Sequence, residues 1–182
     1  MTSVTKVVKS VGPKLMPFFK TLAVYFVIFI PHDQPSLLAM VLKCLPIISL
    51  IIFVLLHGMS LGNEYQYSRK IIAGLLFCCI GDAFLIWPQY FCLGIVAFGV
   101  GHISYILAFG LKPFNLPLGV FLYFINALGV MYIMPDLHGI FIPGIIIYSY
   151  ILTTMVWRAI ARVQFFEVCI HLSTTVIYLK NM

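Results

Sequence analysis

The run LLAMVLKCLPIISLIIFVLL, from Leu37 to Leu56, carries a single charge, Lys43. At 1.5 Å per residue a helix of this length spans about 30 Å, the thickness of a bilayer's hydrocarbon core. It therefore predicts a membrane-crossing helix. Working outward, five further apolar runs bounded by charge, Pro or Gly stand at Leu15 to Ile30, Ile71 to Trp87, Tyr90 to Leu111, Leu116 to Met134 and Ile140 to Trp157. The breaks are brief: Pro31 to Ser36, His57 to Lys70, Pro88-Gln89, Lys112 to Asn115, Pro135 to Gly139, and Arg158 to Arg162.

Composition agrees with this reading. The chain has 182 residues, 63% of them hydrophobic and 9% charged, with a mean hydropathy of +1.10. Ordinary soluble domains hold about 45–50% apolar residues, so a soluble globular protein, a disordered chain and a nucleic-acid module are excluded. The expected fold is an all-α polytopic bundle of six transmembrane helices plus a candidate seventh at the C-terminus. Three regions follow: a basic segment 1–14, a six-helix domain 15–162 and a tail 163–182.

The formal charge of +6 is explained by topology. With six alternating spans, Lys6, Lys9, Lys14, Lys20, Arg69, Lys70, Lys112, Arg158 and Arg162 fall on one side, and the opposite loops hold no Lys or Arg. The positive-inside rule puts the N-terminus in the cytosol and Asp33 and Asp136 on the far side. Lys20, inside the short first run, must snorkel. Ile28-Phe29-Ile30-Pro31 offers no small-x-small cleavage site, so the first helix is expected to stay uncleaved. Before it, Val4, Val7, Val8 and Val11 share a helical face, which suits either an anionic leaflet or a frayed tail.

Cys44, Cys78, Cys79, Cys92 and Cys169 lie in apolar runs without a C-x-x-C pair, which predicts reduced buried thiols rather than disulfides or a zinc site. There is no tandem repeat, low-complexity segment or N-x-[ST] acceptor, and no G-x-S-x-G elbow, P-loop or G-x-G-x-x-G. Neither a nucleotide nor a metal cofactor is expected.

Ionisable groups inside hydrocarbon cost at least about 2.5–3.5 kcal/mol each, so those that occur mark candidate sites. Lys43 lies about 9 Å below the start of its helix and Asp82 about 8 Å from the end of the next, at the same face. The two are level and able to form an ion pair, whose role is either to fix helix register or to take part in catalysis or transport. Pro46 loosens the second helix nearby. His102 lies near the middle of the fourth run with Tyr105 one turn on, beside an Ala97/Gly101 surface where another helix can come close. Asn126 with Tyr123, and Tyr148, Ser149, Tyr150, Thr153 and Thr154, add hydrogen-bonding groups at membrane depth, most of them suited to bridging helices.

The order Lys43-Cys44-Leu45-Pro46, Gly81-Asp82-Ala83-Phe84-Leu85-Ile86-Trp87, Gly101-His102-Ile103-Ser104-Tyr105 with Ala108-Phe109-Gly110, and Trp157-Arg158-Ala159 resembles the lysoplasmalogenase family, also called the YhhN or transmembrane protein 86 family. Lys14-Leu15, Pro17-Phe18-Phe19-Lys20 and Val24-Tyr25-Phe26 resemble its vertebrate members. The resemblance implies an eight-helix fold in the endoplasmic reticulum membrane. It also implies hydrolysis, without cofactor, of the vinyl (alkenyl) ether of lysoplasmenylethanolamine or lysoplasmenylcholine to a fatty aldehyde and glycerophosphoethanolamine or glycerophosphocholine.

The residues suit that chemistry. A vinyl ether hydrolyses through protonation of its β-carbon to an oxocarbenium ion, addition of water and collapse of the hemiacetal, which calls for an acid and a group that stabilises positive charge. Asp82 with Lys43 is the catalytic candidate. The close cation favours an ionised Asp82 acting as stabiliser or base. His102, Tyr105, Tyr123, Asn126 and Tyr148 are the candidate substrate-binding set. The resemblance also implies a second Asp motif beyond the sixth span, which does not occur here; Val163 to Leu179 instead offers a marginal span or interfacial helix with Glu167 and His171 at i, i+4. Three functions follow: the hydrolase, a catalytically incomplete lipid-binding relative, and a small carrier using Lys43 and Asp82. The expected partners are the lysoplasmalogen lipid and the membrane, with no nucleic acid, and a homo-oligomer is left open.

Overall fold

The computed structural model describes residues 12–28, 35–58, 65–136, 138–139 and 141–180, with side chains described no further than Val163. The N-terminal valine face, Lys6, Lys9, Asp33 and the side chains of Asp136, Glu167, Cys169 and His171 lie outside the described residues. Among the described residues there are six α-helices: α1 (Met16–Ile28), α2 (Leu37–Gly58), α3 (Gln66–Phe84), α4 (Phe91–Phe109), α5 (Leu116–Ile133) and α6 (Phe141–Lys180). Among the described residues there is no strand, so the all-α fold is as expected. The chain divides into two compact units, 1–104 and 105–182, with the division inside α4.

Among the described residues four stretches are long and apolar enough to cross a membrane: Leu37–Leu56, Pro88–Phe109, Leu116–Ile133 and Phe141–Val163. The protein is a multi-pass membrane protein. The other two expected spans are also helical. Of the first, 13 residues are described as helix α1. Helix α3 carries Arg69 and Lys70 in its first turn and Asp82 in its last.

In the first unit α2 packs against both α1 and α3. Ser36 starts α2 by accepting the Ala39 N–H at 3.1 Å through its hydroxyl, satisfying a donor that the helix cannot. Pro46 lies within α2 and has no N–H for the carbonyl one turn back; Ser49 Oγ donates to the Pro46 carbonyl at 2.6 Å. Helices α3 and α4 approach through small residues. A Cβ on Gly101 would stand 3.0 Å from both the Gly74 carbonyl and Cys78 Sγ, so the surface of Ala97 and Gly101 does admit a neighbouring backbone.

In the second unit the end of α4 turns at Gly110, whose φ of +71° suits a residue without a side chain. Asn115 then caps α5, its Oδ1 accepting the Leu118 N–H at 3.3 Å. Helices α5 and α6 pack together. Their closest seam is Gly119 against Trp157, where a Cβ would come within 2.7 Å of the indole ring.

The polar break expected at Arg158 to Arg162 is not a break. Helix α6 runs through it as one element, and the backbone of the expected seventh helix is the continuation of α6. The reason lies in where the arginines go. Arg158 is fully buried, its Nε donating to the Gly110 carbonyl at 2.7 Å and its Nη2 to the Pro113 carbonyl at 2.9 Å. Arg162 Nη1 donates to the carbonyls of Ala108 and Phe109 at 3.1 and 3.3 Å. Carbonyls at a helix end lack intrahelical donors and carry partial negative charge, so cations are stabilising there. Trp157 joins the arginines by donating Nε1–H to the Asn115 carbonyl at 2.8 Å, while its ring lies 5.3 Å from the Arg158 guanidinium carbon.

Outward faces remain apolar. Val96, Leu107, Val120, Phe121, Phe124, Met131 and Tyr132 are all more than half exposed, the arrangement expected when the surrounding solvent is lipid.

Candidate functional site

The site begins with the register between α2 and α3. Cys44 Sγ reaches the Cys79 carbonyl at 3.5 Å, which ties the Lys43–Pro46 stretch to the turn of α3 just before Asp82. With that register set, Lys43 Nζ lies 3.5 Å from Asp82 Oδ1, and the two side chains are only 17% and 19% exposed. The expected ion pair forms. A pair so placed keeps two opposite charges largely out of contact with solvent, where each offsets the other's desolvation.

Gly81, the neighbour of Asp82, lies against the ring of Phe98 from α4; a Cβ there would stand 2.8 Å from two ring carbons. One turn further along α4, His102 is buried at 9% exposure. Its imidazole is nearly parallel to the Phe98 ring, 21° apart with centroids separated by 6.3 Å. The first unit thus holds two arrangements on three helices, the Lys43–Asp82 pair and the Phe98–His102 stack, with Gly81 against Phe98.

The remaining substrate-binding candidates belong to the second unit. Tyr105 is half-buried on the last turns of α4 and Tyr148 half-buried on α6. Tyr123 Oη and Thr154 Oγ1 share a hydrogen bond of 2.6 Å, and the Tyr123 ring meets those of Tyr150 and Trp157. Asn126 Nδ2 donates to Ser149 Oγ at 3.4 Å. These bonds join α5 to α6, the bridging role expected of most polar groups at this depth.

The described cysteines Cys44, Cys78, Cys79 and Cys92 are free thiols, the first two buried and Cys92 exposed. Among the described residues no three metal-ligating side chains come together.

Two residues of consequence escaped the sequence reading. Phe98 looks like any other apolar residue of its helix, and only its placement between Gly81 and His102 distinguishes it. Arg158 resembles a loop anchor in sequence, although it directly follows a tryptophan in the quoted Trp157-Arg158-Ala159 pattern.

With this geometry in view, residues 38–178 match the model of the YhhN family. The chain belongs to the YhhN family. Among its relatives, lysoplasmalogenase TMEM86A of Bos taurus is 42% identical over 166 residues, covering 90% of this chain and 69% of the relative. The protein of that name from Homo sapiens is 40% identical over the same coverage. Lysoplasmalogenase TMEM86B of Sus scrofa is 41% identical over 156 residues, 84% of this chain and 66% of the relative. No solved structure matches the chain. The YhhN match takes in Lys43, Asp82, His102, Tyr105, Tyr123, Asn126 and Tyr148, so every candidate site residue lies within the family region.

Proposed function

We propose that the chain is an integral membrane lysoplasmalogenase. It hydrolyses the vinyl ether of lysoplasmenylethanolamine or lysoplasmenylcholine, consuming one water and releasing a fatty aldehyde together with glycerophosphoethanolamine or glycerophosphocholine. The observation that carries this reading is the Lys43–Asp82 pair, sheltered between membrane helices in a chain whose relatives bear that name.

Asp82 is the chief catalytic carboxylate. A proton taken up from water at the site adds to the β-carbon of the alkenyl ether, the new C–H bond forming from the C=C π pair, and the positive charge spreads over the ether oxygen and the α-carbon; the water that then adds to the α-carbon gives a proton back. An anionic carboxylate in a water-poor site stabilises that charge more strongly than it would in bulk water. Lys43 is its charge partner and holds the carboxylate in one orientation. His102 and Tyr105 hydrogen-bond the glycerophosphate or the attacking water, whose addition gives the hemiacetal that collapses to aldehyde and alcohol. Tyr123, Asn126 and Tyr148, all of the second unit, are the other proposed substrate-binding residues.

The reading extends to topology, six crossings with the N-terminus in the cytosol, which the one-sided distribution of nine basic residues supports, and to residence in the endoplasmic reticulum membrane, which the resemblance to the vertebrate family members implies. The deciding experiment incubates purified protein in detergent or vesicles with lysoplasmenylethanolamine and measures aldehyde. Release that is lost in Asp82→Asn supports the proposal. Absence of aldehyde under conditions where one of the relatives produces it overturns the proposal. Epitope tags in the loops test the orientation, and a lumenal N-terminus would reverse it.

A further inference from the structure

We propose that Phe98 is the positioning residue for His102: its ring, held against the bare backbone of Gly81, fixes where the imidazole stands beside the Asp82 helix. This inference rests on the role assigned to His102 above and deepens it.

Three observations converge on Phe98. A Cβ on residue 81 would fall 2.8 Å from Phe98 Cδ2 and Cε2, closer than real side chains come; the ring therefore occupies space that exists only because position 81 is glycine. Asp82 follows Gly81 directly in α3. On the α4 side, the His102 imidazole lies nearly parallel to the same ring, 21° from it, in an offset stack. The α3 and α4 backbones are themselves close here, since a Cβ on Gly94 would meet the Gly81 carbonyl at 3.3 Å. With the backbones near contact, the ring has little freedom to shift.

The flat Phe98 ring gives the imidazole a surface to lie along without adding a polar group. A side chain of similar volume but no plane, such as leucine, fills the space yet takes that surface away. Phe98 touches no reacting atom in this scheme. It acts through His102, and its effect belongs on kcat more than on KM, because a displaced catalytic group costs turnover while substrate still binds.

The test uses the whole membrane protein in Phe98→Leu, Phe98→Tyr, His102→Ala and Phe98→Leu/His102→Ala forms, with two readouts. The first is the rate at which diethyl pyrocarbonate modifies His102, followed by peptide mass spectrometry with the other histidines as internal references. Phe98→Leu raises the His102 rate alone and Phe98→Tyr keeps it at the wild-type value; an unchanged rate in Phe98→Leu overturns the proposal whether or not the protein is active. The second readout is aldehyde release. Phe98→Leu lowers kcat about tenfold to a hundredfold with KM little changed, Phe98→Tyr restores it, and the double variant is no slower than His102→Ala. Losses that multiply in the double variant overturn the positioning role while leaving His102 in the proposed mechanism. Full activity in His102→Ala instead removes His102 from that mechanism, and the positioning role falls with it.

Discussion

Lys43 of α2 and Asp82 of α3 meet at 3.5 Å, each less than one-fifth exposed. The pair joins two helices that are themselves in register through Cys44 and the Cys79 carbonyl. Removing one partner leaves the other charge sheltered and uncompensated, which costs about 3 kcal/mol or more in comparable sites. Lys43→Met is therefore expected to lower the thermal unfolding temperature in detergent. The exchange Lys43→Asp with Asp82→Lys is expected to recover most of that loss while leaving no aldehyde release, because the carboxylate is then on the wrong helix. Recovery of activity by the exchanged pair would show that the charge alone, and not its location on α3, matters.

Arg158 is expected to be a stability residue. Its two described hydrogen bonds go to backbone carbonyls of Gly110 and Pro113, which a lysine, with a single compact head, cannot serve in the same fork. Arg158→Lys should cost about 1–3 kcal/mol, and Arg158→Met more, because the carbonyls then lose their donors altogether. The check is thermal unfolding followed by circular dichroism, and an unchanged midpoint in Arg158→Lys would rule out the forked geometry.

At the α5–α6 seam, Gly119→Ala would thrust a methyl to within 2.7 Å of the Trp157 indole. Overpacking of this kind costs about 1–3 kcal/mol. The smaller ring in Gly119→Ala/Trp157→Phe should relieve part of it, although that variant also gives up the hydrogen bond to the Asn115 carbonyl. Unfolding midpoints of the two variants measure the difference.

Tyr123 separates bridging from binding. Its hydroxyl is engaged with Thr154 at 2.6 Å, and a single interhelical bond at membrane depth is worth about 0.6 kcal/mol. Tyr123→Phe is expected to lower stability by about that amount. If the hydroxyl also contacts lipid substrate as proposed, the KM for lysoplasmenylethanolamine rises as well. An unchanged KM assigns Tyr123 to the helix interface alone.

Much of this was legible in the residues themselves, for reasons that differ from case to case. The pairing of Lys43 with Asp82 followed from depth: two charged groups on neighbouring helices, each about six residues from the same membrane face, stand level because every residue adds the same rise. The close approach at Gly101 followed from residue size. Arg158 and Arg162 were read as polar chain outside the bilayer because hydropathy registers a charge but not the carbonyls waiting for it. Helix α6 runs through both. Phe98 was invisible for another reason: its neighbours Gly81 and His102 are brought to it by the crossing of α3 and α4, which no local pattern in α4 encodes.

The five carbonyls at Ala108, Phe109, Gly110, Pro113 and Asn115 receive donors from Trp157, Arg158 and Arg162. Those donors lie 42 to 54 residues later in the chain. During synthesis the segment joining α4 to α5 thus emerges before its side-chain donors, which arrive only with α6; of the five carbonyls, that of Asn115 also accepts the nearby Gly119 N–H at 3.2 Å. A nascent chain halted before Trp157 would present the other four to water or to a chaperone.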